Sequence, residues 1–337
     1  MAADRSEALP TARRPYRLAG GQPGLLEPGA ATDPYRLRLY RILRTDFPLG
    51  YDPGLGAWLL SRYADVALAL TDPRFTGYPH DGAPRGPVPA PLGLCRGSLV
   101  CTPLPDGGAA PEGSSAVERT AYVLAHRIAG RDRADLVAEF CRWLPAGADA
   151  VAAGRSYPDL RARPRTGGAG TDCVRHTGLR ERALASFLAN MLDDPDLLDA
   201  VAGSEAGTGM LIGRAWAETL RRDPPVQIVL RRTRTEVRVS GGMLPGGAPV
   251  ACLIGAAGRD PARFAAPDRF DPLRADADPL LTGPAGCPAA LLGRLEAEHG
   301  LRALLTAMPG IRWADGFRPV STGVLTRGPR TLLVQPS

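Results

Sequence analysis

Glu218 and Arg221 stand one turn apart in the run Ala217-Glu218-Thr219-Leu220-Arg221-Arg222, so on a helix a carboxylate and a guanidinium share one face. A second arginine, Arg269, sits in the Pro-rich stretch Pro267-Asp268-Arg269-Phe270 and can fold back on that face. Bidentate guanidinium–carboxylate pairs fix distance and angle together. Glu218, Arg221 and Arg269 therefore read as a structural triad that anchors an irregular loop to a helix, and no catalytic set is assigned. The other reactive groups are six cysteines, at 95, 101, 141, 173, 252 and 287. They form no C-x-x-C pair and no Cys/His spacing of a zinc site, so no metal is expected. Buried free thiols in a reducing compartment are the expected state. Cys287 stands apart by position. It directly precedes a long helical pattern, where the helix dipole and free N–H groups stabilise a thiolate. His126 and His176 have neither a carboxylate nor a serine at catalytic spacing.

The elements that must position these residues follow from punctuation and periodicity. Residues 1–30, rich in Gly, Pro, Ala and Arg, predict a flexible arm. Asp33-Pro34 marks a helix start, with Leu37, Tyr40 and Leu43 at its period. A strand is expected at 56–60 and a helix at 63–70. Residues 77–115 show little periodicity and read as a long Gly/Pro-rich loop. Further helices are predicted over 117–128, 135–144, 179–192, 197–202, 210–222 and 288–307. Strands are predicted over 226–230, 236–240 and 250–254, joined by the glycine-rich turns at 241–242 and 245–247. The polar stretch 154–172 reads as a linker.

Composition narrows the function class. With 337 residues, 44% of them hydrophobic, the chain can bury a large core. All 41 basic residues are arginines, scattered rather than massed, and aromatics are only 6%. Nucleic acid is therefore not an expected partner, since it calls for a basic face with aromatic platforms. The N-terminus lacks the apolar stretch of a secretory signal, and no run reaches roughly 18 apolar residues. No membrane association is predicted, and the expected location is cytoplasmic.

Six segments, taken in order, carry a resemblance. They are DPYRLRLYRILRTDFP, GLGAWLLSRYADVALALTDPRFT, AETLRRDPPVQ, RRTRTEVRVSGGMLPGGAPV, GAAGRDPARFAAPDRFDP and CPAALLGRLEAEHGLRALL. Together they resemble the bacterial cytochrome P-450 family across nearly the whole chain after residue 30. The resemblance implies a mainly α fold with small β-sheets, here truncated. It forms a single domain over residues 31–337, with a shortened lid region at about residues 145–177. It also implies that Glu218, Arg221 and Arg269 are the family's E-x-x-R and meander arginine, which serve the fold.

By the same resemblance Cys287 holds the place of the haem-thiolate ligand, with Leu292, Arg294 and Glu296 following at the family's spacing. The loop before it departs from the family's F-G-x-G-x-H/R-x-C. Leu280 stands for the aromatic, Ala285 for the basic residue that pairs with a haem propionate, and only Gly283 matches. Pro288 removes an N–H beside the sulfur. The oxygen-activating A-G-x-E/D-T patch falls on Arg175, His176 and Thr177 and runs on to Arg180, with no acid–alcohol pair. The H-x-x-x-R helix is replaced by SAVERTAYVLAHR. Arg231 and Arg232 fall at a family position near a propionate and read here as sheet-edge ion pairs.

Loss of these haem features beside an intact triad predicts a folded chain without haem and without monooxygenase activity. In length, in the eroded cysteine loop and in the run GVLTRGPRTLLV, the chain is similar to the P-450-derived auxiliary proteins of antibiotic biosynthesis. That resemblance implies a non-catalytic protein that binds, stabilises and activates a partner glycosyltransferase. The partner would attach a nucleotide-activated deoxysugar to a polyketide-type aglycone, in a heterotetramer with two copies of each chain. Two other readings stay open: a divergent haem-thiolate monooxygenase using Cys287, and a haem-free scaffold or small-molecule binder. Apolar surface once covered by lid helices would need a new cover, and the candidate partner faces are Leu25–Leu43 and the loops of residues 77–115, weighed equally against ordinary core packing and disorder; Tyr35, Leu39 and Tyr40 read as core.

Overall fold

The computed structural model describes residue 25 and residues 35–77, 111–152, 177–203, 208–276, 280 and 288–335. Helix α1 (Tyr35–Thr45) leads into the strands β1 (Leu49–Asp52) and β2 (Ala57–Leu60), then α2 (Tyr63–Thr71) and β3 (Phe75–Gly77). A helical block follows: α3 (Pro111–Ile128), the short strand β4 (Ala134–Asp135), a π-helical turn (Val137–Cys141), α4 (Trp143–Ala152), α5 (Thr177–Leu192), α6 (Pro195–Ala202) and α7 (Thr208–Arg222). The chain then returns to strands: β5 (Ile228–Thr233), β6 (Val237–Val239), β7 (Gly242–Leu244) and β8 (Pro249–Leu253). The short α8 (Ile254–Ala257) opens an irregular meander, and α9 (Pro288–Ala307) crosses the helical block. Short strands β9 (Arg312–Trp313), β10 (Ser321–Thr322), β11 (Gly328–Pro329) and β12 (Leu333–Gln335) end the described chain.

The largest sheet has the order β1-β2-β8-β5-β3, antiparallel except where β2 runs parallel to β8. The helices bury one continuous core. On α5, Leu184, Phe187, Leu188 and Met191 line one stripe, and on α9, Ala297, Leu301 and Leu304 do the same. These are the i, i+3, i+4, i+7 positions of an amphipathic helix. Close crossing of α9 depends on small residues. A side chain at Gly300 would press on Leu144 and Phe140, and one at Gly293 would lie 3.1 Å from the Trp216 ring.

Long-range partners set several boundaries. Asp194 caps α6 by accepting from the Leu197 N–H (3.1 Å), with Pro195 in the first turn. Helix α2 has no local side-chain cap; Asp260, from the meander, accepts from the Tyr63 N–H at 2.8 Å. The helix expected over 135–144 is present from residue 136 but altered at its start and in its winding. Ala134 and Asp135 pair with β12, and the Asp135 carboxylate accepts from the Leu332 and Val137 N–H groups. A wider π turn follows, closed by the Arg142 N–H on the Val137 carbonyl. Tertiary pairing there takes only Asp135 out of the expected helix. The strand expected over 236–240 is one arm of the hairpin β6–β7, turned at Gly241 with φ of +87°.

Two expectations about the N-terminal region change. Leu25, within the predicted arm, is buried, and its N–H donates to Asp52. Leu39 and Tyr40 are buried, as expected of core residues, and Leu43 is buried with them, so these positions of Leu25–Leu43 are not a partner surface. Arg36 on the same helix is buried and donates to the Tyr40 hydroxyl (2.7 Å), which donates to Gln227 (3.0 Å). Residues 78–110 of the expected loop lie outside the described residues, and residues 111–115 already belong to α3. Of the segment 145–177, α4 is described to Ala152, and residues 153–176 lie outside. Among the described residues, no helix is long and apolar enough to cross a membrane.

Candidate functional site

Glu218 and Arg221 meet as their spacing predicts. Both side chains are fully buried on α7, and Arg221 pairs bidentately, Nε to Oε2 at 2.7 Å and Nη2 to Oε1 at 2.8 Å. Arg221 then donates to three meander carbonyls, those of Gly258 (2.6 Å), Pro267 (2.8 Å) and Arg269 (3.3 Å). The other arginine on Glu218 is Arg274, whose Nε lies 3.0 Å from Oε1. This corrects the triad. Arg269 contributes its carbonyl, while its side chain is exposed. The physical reason is the path of the meander. Ala266 takes a left-handed φ of 42°, a conformation unusual for a residue with a Cβ, and the chain turns so that Arg274 faces the helix. Arg274 also donates to the Ala265 carbonyl (3.1 Å) and to Asp276 (3.0 Å), so it fastens both ends of the turn. The Asp271 N–H completes the set on Glu218 at 3.0 Å.

A second belt joins α7 to the meander. Arg259 donates to Asp223 (2.6 Å), Asp268 (2.8 Å) and the Arg222 carbonyl (3.0 Å). Burial alone would raise the Asp223 carboxyl, but Arg222 and Arg259 outweigh it and hold it down to about 2.

The helical core contains another ion cluster, which the sequence did not announce. Arg180 on α5 is almost completely buried, with Nη2 donating to Asp149 of α4 (2.6 Å) and to the Pro145 carbonyl (3.3 Å). Its Nη1 lies 2.8 Å from Oε1 of Glu296 on α9, a fully buried carboxylate. The contact is one of charge only: neither Glu296 oxygen finds a hydrogen-bond partner among the described residues. Burial pushes Glu296 up to about 8, against the pull of Arg180 and with a further push from Asp149.

The remaining predicted site residues are partly out of view. Leu280 is partly buried and packs against the core of the large sheet. Gly283, Ala285, Cys287, Arg175 and His176 lie outside the described residues, and Thr177 begins α5 with its side chain also outside. Cys141 and Cys252 are free and buried, and burial raises both thiols, Cys252 to about 12. Among the described residues no group of His, Cys, Asp and Glu could hold a metal ion. His299 on α9 lies 2.9 Å from the Ser114 hydroxyl of α3, a contact that bridges two helices.

The described residues fit poorly the haem that the resemblance implies. The inward positions of α3 include Val117, Ala121, Leu124, Ala125 and Ile128, packed into the helical core, and Thr120, whose hydroxyl donates to the Ala116 carbonyl, while His126 and Arg127 face solvent. Arg180 is committed to Asp149 and Glu296. In β5, Arg232 donates to the Gly247 carbonyl at 2.9 Å. Arg231, its guanidinium pulled down by burial, pairs in register with Gly77 and Val250, which offer no carboxylate. The expected sheet-edge ion pair at Arg231 is therefore absent among the described residues.

Comparison with known proteins agrees with this architecture. A cytochrome P450 family model matches residues 213–277, which span most of α7, strands β5 to β8 and the meander. Protein DesVIII of Streptomyces venezuelae is 33% identical over 92% of this chain and 87% of its own length. Pulcherriminic acid synthase of Bacillus subtilis (strain 168) is 33% identical over 46% of this chain and 40% of its own. The crystal structure of CYP109E1 from Bacillus megaterium, in complex with testosterone, superposes with a TM-score of 0.70 over 89% of this chain and 99% of its own, at 16% identity. That last likeness is one of fold. With the Glu218–Arg221 cluster tying the meander to α7 and a relative matched along nearly its whole length, the chain belongs to the cytochrome P450 family.

Proposed function

We propose that this chain is a non-catalytic auxiliary protein that binds, stabilises and activates a glycosyltransferase. The carrying observation is the contrast between an intact fold-holding cluster at Glu218 and helical walls whose inward side chains are mostly apolar, with Arg180 ion-paired and the buried Thr120 and Asn190 hydrogen-bonded within the core. A haem needs cations for its propionates, and among the described residues of α3 and α5 the one buried arginine, Arg180, is already committed to Asp149 and Glu296. The match to Protein DesVIII along nearly the full chain supports the same reading. On this reading haem is not a cofactor, and the fold serves as a rigid platform. The partner's substrates would be a nucleotide-activated deoxysugar and a polyketide-type aglycone, and the complex would hold two copies of each chain.

The test is co-expression. A glycosyltransferase made together with this chain is expected to be recovered in higher soluble yield and with a higher turnover number than the same enzyme made alone. Equal yield and equal turnover in both preparations would overturn the proposal.

A further inference from the structure

The ion cluster of Asp149, Arg180 and Glu296 sets two carboxylates against one guanidinium inside the helical core. With all three ionised it holds a net negative charge where burial disfavours any charge. Its hydrogen bonds are uneven. Arg180 gives Nη2 to Asp149 and to the Pro145 carbonyl, both on α4. Its Nε and Nη1, and both oxygens of Glu296, have no hydrogen-bond partner among the described residues. Arg180 therefore holds α4 by two bonds and keeps Nη1, 2.8 Å from Glu296, in reserve. The three groups also differ in access to water. The Asp149 side chain is 18% exposed, against 3% for Arg180 and 0% for Glu296. Among the described residues no other charge faces Glu296. Cys141 of the π turn is a thiol kept neutral by burial, and α3 turns apolar residues and Thr120 inward. Helix α7 presents Ile212, Ala215 and Trp216 to the same core, and His299, one turn along α9, meets Ser114.

We infer that Arg180 is a proton-controlled latch on α4: with Glu296 neutral it grips Asp149 and the Pro145 carbonyl, and with Glu296 ionised it turns to Glu296 and lets α4 go. Two anions compete for one buried cation, and Asp149, nearest to water, is the member whose release costs least. Little movement completes the other bond, because Nη1 already lies beside Glu296 and has no other acceptor. Linkage sets the direction. With α4 in place Glu296 is dry, and burial raises its carboxyl from 4.5 to about 8. With α4 displaced, water reaches the carboxylate and its proton is held as in an ordinary glutamate. The latched form is therefore favoured fully below about pH 4.5, loses that advantage as pH rises, and levels off above about 8.

The test is hydrogen exchange of the whole protein, read on peptides of α4 at about pH 5 and about pH 8, with labelling times scaled to the intrinsic pH dependence of amide exchange. In wild type the protection of α4 is expected to fall about tenfold or more from the lower pH to the higher. The opening is local, so α4 is expected to exchange faster than the paired strands β5 and β8 at both values. Glu296→Gln cannot ionise and is expected to keep α4 protected at both. Asp149→Asn weakens the grip and leaves Glu296 in place; it is expected to lower the protection of α4 already at the lower pH. Three results would overturn the latch: protection of α4 in wild type that changes less than about twofold, a fall of the same size in Glu296→Gln, or α4 exchanging only as slowly as β5 and β8, which would mean that it opens only with the whole molecule.

Discussion

Two buried arginine–carboxylate clusters hold this molecule together, and they are built differently. At Glu218 each carboxylate oxygen is hydrogen-bonded, and Arg221 spends its donors on Glu218 and on three carbonyls of the meander. At Glu296 the charges meet Arg180 without hydrogen-bond geometry, and both carboxylate oxygens lack partners among the described residues. A buried charge is tolerated when its remaining donors and acceptors are satisfied, and it is costly otherwise. The first cluster fixes a path of the chain. The second joins three helices, α4, α5 and α9, at a cost that depends on protonation. The contrast is one of hydrogen-bond satisfaction: the first cluster is saturated, and the second leaves a buried carboxylate without donors among the described residues.

The largest expected effect comes from breaking the saturated cluster. Glu218→Ala leaves Arg221 and Arg274 buried without their carboxylate and is expected to cost about 3–5 kcal/mol, read as a shift in the urea midpoint or as loss of soluble protein. Arg274→Ala should cost about 2 kcal/mol, because Glu218 keeps Arg221 but the meander turn loses its fastening. Arg269→Ala is the matched control. Its side chain is exposed and its carbonyl survives the substitution, so a change within about 0.5 kcal/mol is expected. Equal losses for Arg269→Ala and Arg274→Ala would remove the correction made to the triad.

The unsatisfied cluster should reveal itself by pH. The Glu296 carboxyl is raised above its ordinary value of 4.5 to about 8, so the folded state holds its proton after the unfolded chain has released it. Its contribution to stability is therefore fully present below about pH 4.5, is lost as pH rises, and levels off above about 8. Glu296→Gln removes that dependence. Its stability relative to wild type is expected to grow from acid to pH 8, on the order of a few kcal/mol, in urea titrations at stepped pH. A constant gap would show that Glu296 stays ionised against Arg180. The smallest expected effect concerns Cys141, whose thiol is raised by burial and by the nearby carboxylates, chiefly Glu181 and Asp135, with Glu296 also adding. It should resist a thiolate-directed label at pH 8 in the native protein and react only on unfolding.

Local signals in the sequence carried far. The E-x-x-R face of α7 and the stripe of α9 were each legible, because periodicity acts within a few residues, whereas α6 was expected from 197 and begins at Pro195 behind the Asp194 cap. The meander arginine was not. Which guanidinium reaches Glu218 depends on the left-handed turn at Ala266, and the sequence reading, resting on the Pro-rich stretch and the resemblance, named Arg269. The strand β4 and the π turn were hidden for a similar reason: Asp135 is drawn into pairing with β12, 197 residues from Leu332, against a local helical pattern. The cluster of Asp149, Arg180 and Glu296 joins three distant segments, and the sequence marks none of them as partners.

The most direct measurement is the rate of sugar transfer by the proposed partner, a glycosyltransferase, in the presence of wild-type chain and of Cys287→Ala. If the fold persists for docking and not for haem chemistry, both should raise the rate equally over the transferase alone. A soluble, folded Cys287→Ala protein that fails to raise the rate, while wild type does, would contradict it and return the cysteine to the centre of function.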